Sequence, residues 1–314
     1  MTNYIDRQTT LADQVTLTGI GVHSGKPASI TLVPAEACVG IVFTRTDCEN
    51  AAEIPAKWDE VSATALCTVL GDPSKDGIAT VEHIMAALFG MGVDNLIVEI
   101  DGPEMPIMDG SSTVFVDAIE QVGLKSLDRG RRYLKVKKTV RVDNGSAWCE
   151  LRPYDGTKFD ITIDFDTPLI GRQQFVSDMT PDVFRDELSR ARTFGNVKDV
   201  EQLWKMGFAL GSSLENSVAI SDDKVLNPEG TRWPDEFARH KALDAVGDLA
   251  LAGLPILGLY RSYKGGHKMN HSILVKLFED PSAFELVEAP AFRRVGQVDK
   301  GGLAASAVFG PDVS

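Results

Sequence analysis

Apolar and polar residues alternate in four segments of the chain: Ala28–Val33, Asn95–Ile100, Tyr133–Val142 and Phe159–Phe165. A period of two sends neighbouring side chains to opposite faces, so each segment predicts a strand. Elsewhere apolar residues return every three or four positions, over Val81–Phe89, Ser112–Val122, Pro181–Arg192, Val200–Met206 and Asp235–Ala252. That spacing gathers them on one side of a helix. The mixture predicts an α+β or α/β protein. The longest apolar run, Ala245–Tyr260, is broken by Asp248 and carries Gly and Pro, so no transmembrane helix is expected.

A basic, loop-like stretch, Lys125–Arg132, falls between a helical and a strand pattern and reads as a solvated linker. It divides residues 1–126 from 131–300, and 314 residues is a length for two domains. The two parts echo each other. Leu32-Val33-Pro34 leads through a turn to Gly40-Ile41-Val42-Phe43, and Leu151-Arg152-Pro153 leads through Gly156 to Ile161–Phe165. His83 has Gly90 seven residues on, and His240 has Gly247, each in an apolar helical segment followed by a strand pattern. If the echo is structural, the chain holds two copies of one unit, with one histidine from each at a shared interface. The Gly/Ala-rich tail, 301–314, is expected to be flexible.

Composition narrows the classes. Apolar residues at 43% and charged residues at 25% are globular values, which excludes fibrous and wholly disordered chains. A net charge of −13 argues against nucleic-acid wrapping and against a polybasic membrane anchor. Cysteines 38, 48, 67 and 149 form neither a C-x-x-C pair nor a zinc-finger spacing, so reduced thiols are expected. The first residues have no basic region followed by an apolar run, and a cytoplasmic protein is expected.

Three weak signals converge on one kind of chemistry. His240 and Asp244 are four apart on a predicted helix, hence on one face a turn apart. An imidazole and a carboxylate so placed suit zinc, although a surface ion pair has the same spacing. Glu82 and His83 follow Thr80, read as a helix N-cap, in a first turn whose dipole favours neutral imidazole and an anionic Glu. Gly265-Gly266-His267 reads as a turn histidine beside backbone that a ligand can approach, and Asp248, one turn past Asp244, could orient it. His83, His240 and Asp244 would then be three ligands of a catalytic metal, with Glu82 as base and His267 as acid. Gly19-Ile20-Gly21-Val22-His23-Ser24-Gly25 lacks the third glycine of the dinucleotide fingerprint and its βαβ context, so it reads as a tight turn between strands. Neither a P-loop nor G-x-S-x-G occurs.

Taken together, several motifs resemble the zinc-dependent UDP-3-O-acyl-N-acetylglucosamine deacetylases of Gram-negative lipid A synthesis. They are Thr18–Lys26, Val81–Leu88, Met105–Ser111, Ser189–Gly195, Asp235–Lys241 and Gly266-His267, and the resemblance runs to about Phe278. It implies two similar α+β domains, each a helix layer on a sheet, with the active site between them. It also implies that an insert near 195–221 forms a hydrophobic passage for an acyl chain, lined by residues such as Val197, Leu203, Met206, Phe208 and Leu210.

By the same resemblance His83, His240 and Asp244 look like the Zn2+ ligands and Glu82 like the general base. His267 resembles the general acid, with Asp248 beside it, and Thr193 the hydroxyl that stabilises the oxyanion. Lys241 and Lys264 resemble lysines near the catalytic centre and the diphosphate. Asp164 and Phe165 look like uridine contacts, Phe194 joins the substrate contacts, and Cys67 matches a thiol near the site. Ala147 stands where some relatives have a Lys before the Trp, so a phosphate contact supplied there would be missing. The expected partner is an acylated UDP-sugar met by a monomer, with brief membrane-surface contact left open because that substrate carries a lipid. The competing readings are a metal-dependent amidase on another N-acyl sugar and a non-catalytic sugar-nucleotide or lipid-binding protein.

Overall fold

In a computed structural model, residues 6–221 and 224–289 are described. The tail expected from 301 lies outside them. The helices are α1 (Glu82–Met91), α2 (Thr113–Val122), α3 (Pro181–Val183), α4 (Val197–Lys205), α5 (Glu236–Ala250) and α6 (His267–Phe278).

Two sheets share one topology. The first runs in the order Val15–Ile20, Pro27–Pro34, Leu96–Ile100, Ile41–Arg45, Ile54–Pro55. The second contains the succession Val140–Asn144, Ala147–Arg152, Ile256–Tyr263, Thr157–Asp164, Arg172–Asp178. In each, the central strand is antiparallel to one neighbour and parallel to the other. A buried helix precedes each central strand, α1 in one half and α5 in the other, and a second helix, α2 or α6, follows it. The sequence echo is therefore structural: two similar α+β units in one chain. Strand Arg132–Val136 extends the second sheet beside the start of Ile256–Tyr263 and pairs with Phe284–Glu288.

α1 packs against α5 and joins the halves. Ile84, Leu88, Leu243 and Val246 have no exposed surface. Each such side chain contributes about 1.5–3 kcal/mol by leaving water. Gly247 makes this approach close, and Gly90 makes a second close contact, with the Phe184–Leu188 segment. A Cβ on Gly247 would overlap the Glu82 carbonyl oxygen, and one on Gly90 would overlap the Phe184 ring.

Four sequence expectations change. Lys125–Arg132 is not a loop: Leu124–Gly130 pairs antiparallel with Arg7–Leu11, burying Leu127 and turning its charged neighbours to solvent. Arg131 is buried on Asp94 at 2.8 Å. Tyr133–Val142 is two strands, Arg132–Val136 and Val140–Asn144, which pair with different partners. Pro181–Arg192 begins as the three-residue α3, capped by the Thr180 hydroxyl, and continues as a wider turn over Phe184–Leu188. Beyond it the Arg192 guanidinium is drawn to Glu236 and Glu229, which takes the chain out of helical register. The fourth change is at His267, read from sequence as a turn histidine and found at the start of α6. That helix begins directly after two glycines.

Candidate active site

The first turn of α1 and one face of α5 meet at the interface between the halves. Thr80 is not the N-cap. It sits at φ +60°, its hydroxyl donates to Glu104 at 3.2 Å, and Val81 takes the cap position. This tight entry puts Glu82 and His83 at the very start of the helix, both buried. On α5, His240, Asp244 and Asp248 recur every four residues along one buried face.

His83, His240 and Asp244 converge, with one ligand atom of each within 4.8 Å of the others. The Nε2 atoms of His240 and His83 lie 3.3 and 3.6 Å from Asp244 Oδ1. His240 Nδ1 is 3.0 Å from the Ala191 carbonyl, a contact that fixes Nδ1 as the donor and leaves the Nε2 lone pair facing inward. Burial pushes His240 down to about 3, against the pull of Asp244, so the ring is neutral. Asp244 Oδ2 accepts from Lys241 Nζ at 2.8 Å, while Asp244 Oδ1 and His83 Nδ1 are buried with no hydrogen-bond partner. A buried carboxylate oxygen without a donor, faced by two imidazole nitrogens, is what a divalent cation would complete. Burial opposes ionisation of Asp244, but the basic side chains around it, the Lys241 ammonium among them, hold its carboxyl well below the usual carboxylate range.

Glu82 and His267 flank these three residues. Glu82 Oε2 accepts from the Thr68 backbone N–H at 3.0 Å. Burial raises the Glu82 carboxyl, opposed by His267 and His83, which leaves it more basic than a surface carboxylate. His267 Nδ1 is 2.9 Å from Asp248 Oδ2, and its Nε2 points to Glu82 Oε1 and Asp244 Oδ2, each at 3.9 Å. Burial would lower His267, but Asp248 and then Glu82 overcome it and push it up to about 9, so the ring is cationic near neutrality.

The remaining expected residues lie around this centre. The Thr193 N–H donates to the Gly110 carbonyl at 2.7 Å, two residues beyond the carbonyl that holds His240. The Phe194 ring is 6.1 Å from His240, 5.8 Å from Phe165 and under the Lys241 ammonium at 5.7 Å. Asp164 accepts from the Tyr263 hydroxyl and lies 3.5 Å from Lys264 Nζ. Cys67 is buried beside Thr68, where burial and then Glu82 push its thiol up to about 12.

The family model for UDP-3-O-acyl N-acetylglycosamine deacetylase (LpxC) matches residues 8–279. The chain belongs to this family. It is 53% identical over 283 residues to the UDP-3-O-acyl-N-acetylglucosamine deacetylases of Brucella ovis and Brucella canis, covering 90% of this chain and 99% of each relative. The same figures hold for that of Brucella melitensis biotype 2.

Against this family background, the structure adds residues that the motifs did not single out. Thr68 and Asn270 both donate to Asp248, at 2.6 and 2.8 Å. Asn270 lies three residues past His267 on α6, a spacing that carries a signal only once that helix is known. Thr68 carried no signal, because its partners are distant in sequence. Glu104 accepts from the N–H groups of His23 and Ser24, both at 2.7 Å. That fixes the Gly19–Gly25 segment as the tight turn between two antiparallel strands. His271 faces elsewhere, with Nε2 2.9 Å from the Trp58 carbonyl.

The insert reaches this turn. Leu210 N and Gly211 N donate to the carbonyls of His23 and Val22, and the Phe208 ring meets His23 edge-on at 5.6 Å. Val197, Met206, Phe208 and Leu210 are exposed and Leu203 is half-buried, so none of the five is core.

Proposed function

We propose that this protein hydrolyses the N-acetyl group of UDP-3-O-acyl-N-acetylglucosamine, releasing acetate on the route to lipid A. The observation that carries the reading is the donor-free Asp244 Oδ1 facing two imidazoles, with a buried carboxylate and a cationic imidazole on either side. His83, His240 and Asp244 would hold Zn2+, whose chemistry here is to polarise the acetyl carbonyl and acidify a water.

The chain's own groups supply the rest. Glu82 takes the proton of the attacking water at Oε1, because Oε2 is engaged by Thr68. As the carbonyl carbon becomes tetrahedral, the Thr193 hydroxyl and the Lys241 ammonium would meet the charge on its oxygen. The C–N bond then breaks. The His267 Nε2 proton goes to the leaving amine, while its Nδ1–H stays on Asp248. Asp164, Phe165, Phe194, Lys264 and Cys67 would hold the substrate, and the exposed apolar side chains of the insert would follow its acyl chain.

The nucleotide-sugar substrate supports work in the cytoplasm. We also propose a monomer, with one domain ending near 126 and the second spanning about 131–300. Among the described residues no helix is long and apolar enough to cross a membrane. Acetate release from UDP-3-O-acyl-N-acetylglucosamine, with and without a zinc chelator, tests the reading. Chelator-sensitive release supports it. No release from folded, zinc-loaded protein overturns it and brings forward an amidase on another N-acyl sugar.

A further inference from the structure

Both oxygens of Asp248 are committed, and not only to His267. Oδ2 accepts from His267 Nδ1 at 2.9 Å and from Asn270 Nδ2 at 2.8 Å, and Oδ1 accepts from the Thr68 hydroxyl at 2.6 Å. Asn270 is itself fixed, because its Oδ1 accepts the Tyr260 hydroxyl at 2.5 Å. Thr68, Asp248, Asn270 and Tyr260 are all at most 2% exposed. Thr68 does a second thing: its backbone N–H donates to Glu82 Oε2 at 3.0 Å. One residue therefore touches the carboxylate of the base and the carboxylate that orients the acid.

We propose that Thr68 and Asn270 are positioning residues for the proton transfers, clamping the Asp248 carboxylate so that His267 Nε2 is aimed at the reacting centre. A carboxylate held by one hydrogen bond can rotate about its terminal torsion, which is broad and soft. Donors on both oxygens remove that freedom, and they do so from different elements: the segment before α1, and α6. The His267 ring is then pinned through Nδ1, and its Nε2 keeps one direction, toward Glu82 and Asp244. The Thr68 N–H likewise selects which Glu82 oxygen remains available to the substrate water. The acid and the base are thus set relative to each other by a single residue that is not one of the candidate metal ligands. The inference rests on the deacetylase reading for its meaning in turnover, but the geometry of His267 can be read without turnover.

The test is Thr68→Val, which keeps the shape and the backbone N–H and removes the hydroxyl, with Thr68→Ser as the rescue. Steady-state acetate release gives kcat and KM, and the proton and nitrogen resonances of the His267 imidazole in metal-free protein report the Nδ1–H bond. In Thr68→Val, kcat should fall by about 10- to 100-fold, on the order of what misaiming a proton-transfer group costs. KM should stay within about twofold, because the loss is made in the transition state. The Nδ1–H resonance should shift or broaden, and Ser should restore both signals. A Val variant with wild-type kcat overturns the proposal, as does one that loses kcat while the His267 resonance is unmoved. If Thr68→Val does not fold, Asn270→Ala is read by the same two measurements and the same two outcomes. Wild-type protein that releases no acetate would refute the deacetylase reading, and the resonances would still decide whether Thr68 and Asn270 set the ring.

Discussion

Gly247 of α5 lies directly against the backbone carbonyl of Glu82 on α1, where a Cβ would overlap the oxygen. The two helices that carry the candidate metal ligands can approach this closely only because position 247 has no side chain. Gly247→Ala should force them apart. Overpacking of this kind costs about 1–3 kcal/mol, and it separates His83 from His240 and Asp244. A lower melting temperature together with reduced zinc content, measured by elemental analysis, is the expected result. A variant that melts and loads zinc like the wild type would show that the interface gives way more easily than the contact implies.

Glu82 and His267 flank the three converging residues without belonging to them. Glu82→Ala and His267→Ala should therefore keep stoichiometric zinc and lose most activity, by about 100-fold or more for a proton-transfer group. Near-wild-type turnover in either variant would remove its assigned role.

On the proposed reading, Zn2+ held by His83, His240 and Asp244 should also stabilise the fold. A ligand that binds only the native state adds about 2.7 kcal/mol at one hundred times its Kd. Thermal melts should shift downward in chelator and return with added zinc, and His240→Ala should abolish the shift. Identical melts with and without chelator would argue that the three residues hold no metal.

Cys67 and Cys149 are buried, with thiols pushed up to about 12 and about 11, in both cases chiefly by burial. A thiol raised this far is uncharged at pH 8 and a poor nucleophile. Iodoacetamide on native protein should modify exposed Cys38 and spare positions 67 and 149, as read by peptide mass spectrometry. Rapid labelling of Cys67 would mean that the site opens more readily than this structure shows.

Met206 and Leu210 are 62% and 53% exposed on the insert. If they follow the acyl chain, Leu210→Asp should raise KM by about tenfold for a long-chain substrate, since each buried methylene is worth about 0.8 kcal/mol. KM for a short-chain analogue should not change. Equal effects on both substrates would place Leu210 outside the passage.

Much of this site is visible in the sequence because its parts lie close along the chain. Glu82 and His83 are adjacent, and His240, Asp244 and Asp248 repeat every four residues, so one helical period predicts a common face. The pairing of His83 with His240 was foreshadowed by the glycine seven residues after each, and both glycines are points where another part of the chain comes too close for a Cβ. What stayed hidden depends on distant partners. Leu124–Gly130 looks like a loop until Arg7–Leu11 pairs with it. Arg192 leaves its helical pattern because Glu236 lies far along the chain. His267 reads as a turn residue because the glycines before it mask a helix start, where the extended Gly266 serves as N-cap without a side chain. Thr80 has the composition of a cap and the backbone of a left-handed turn.

The order of the site along the chain has a consequence for synthesis. The candidate trio ends at Asp244, whereas His267 and Asn270 belong to the last helix among the described residues, behind a full central strand. A ribosome that has released residues up to the end of α5 has exposed every candidate ligand but not yet the proton donor. A chain ended there would also lack the central strand Ile256–Tyr263, so the candidate ligands and the residues that aim His267 depend on one late-made segment for their common setting.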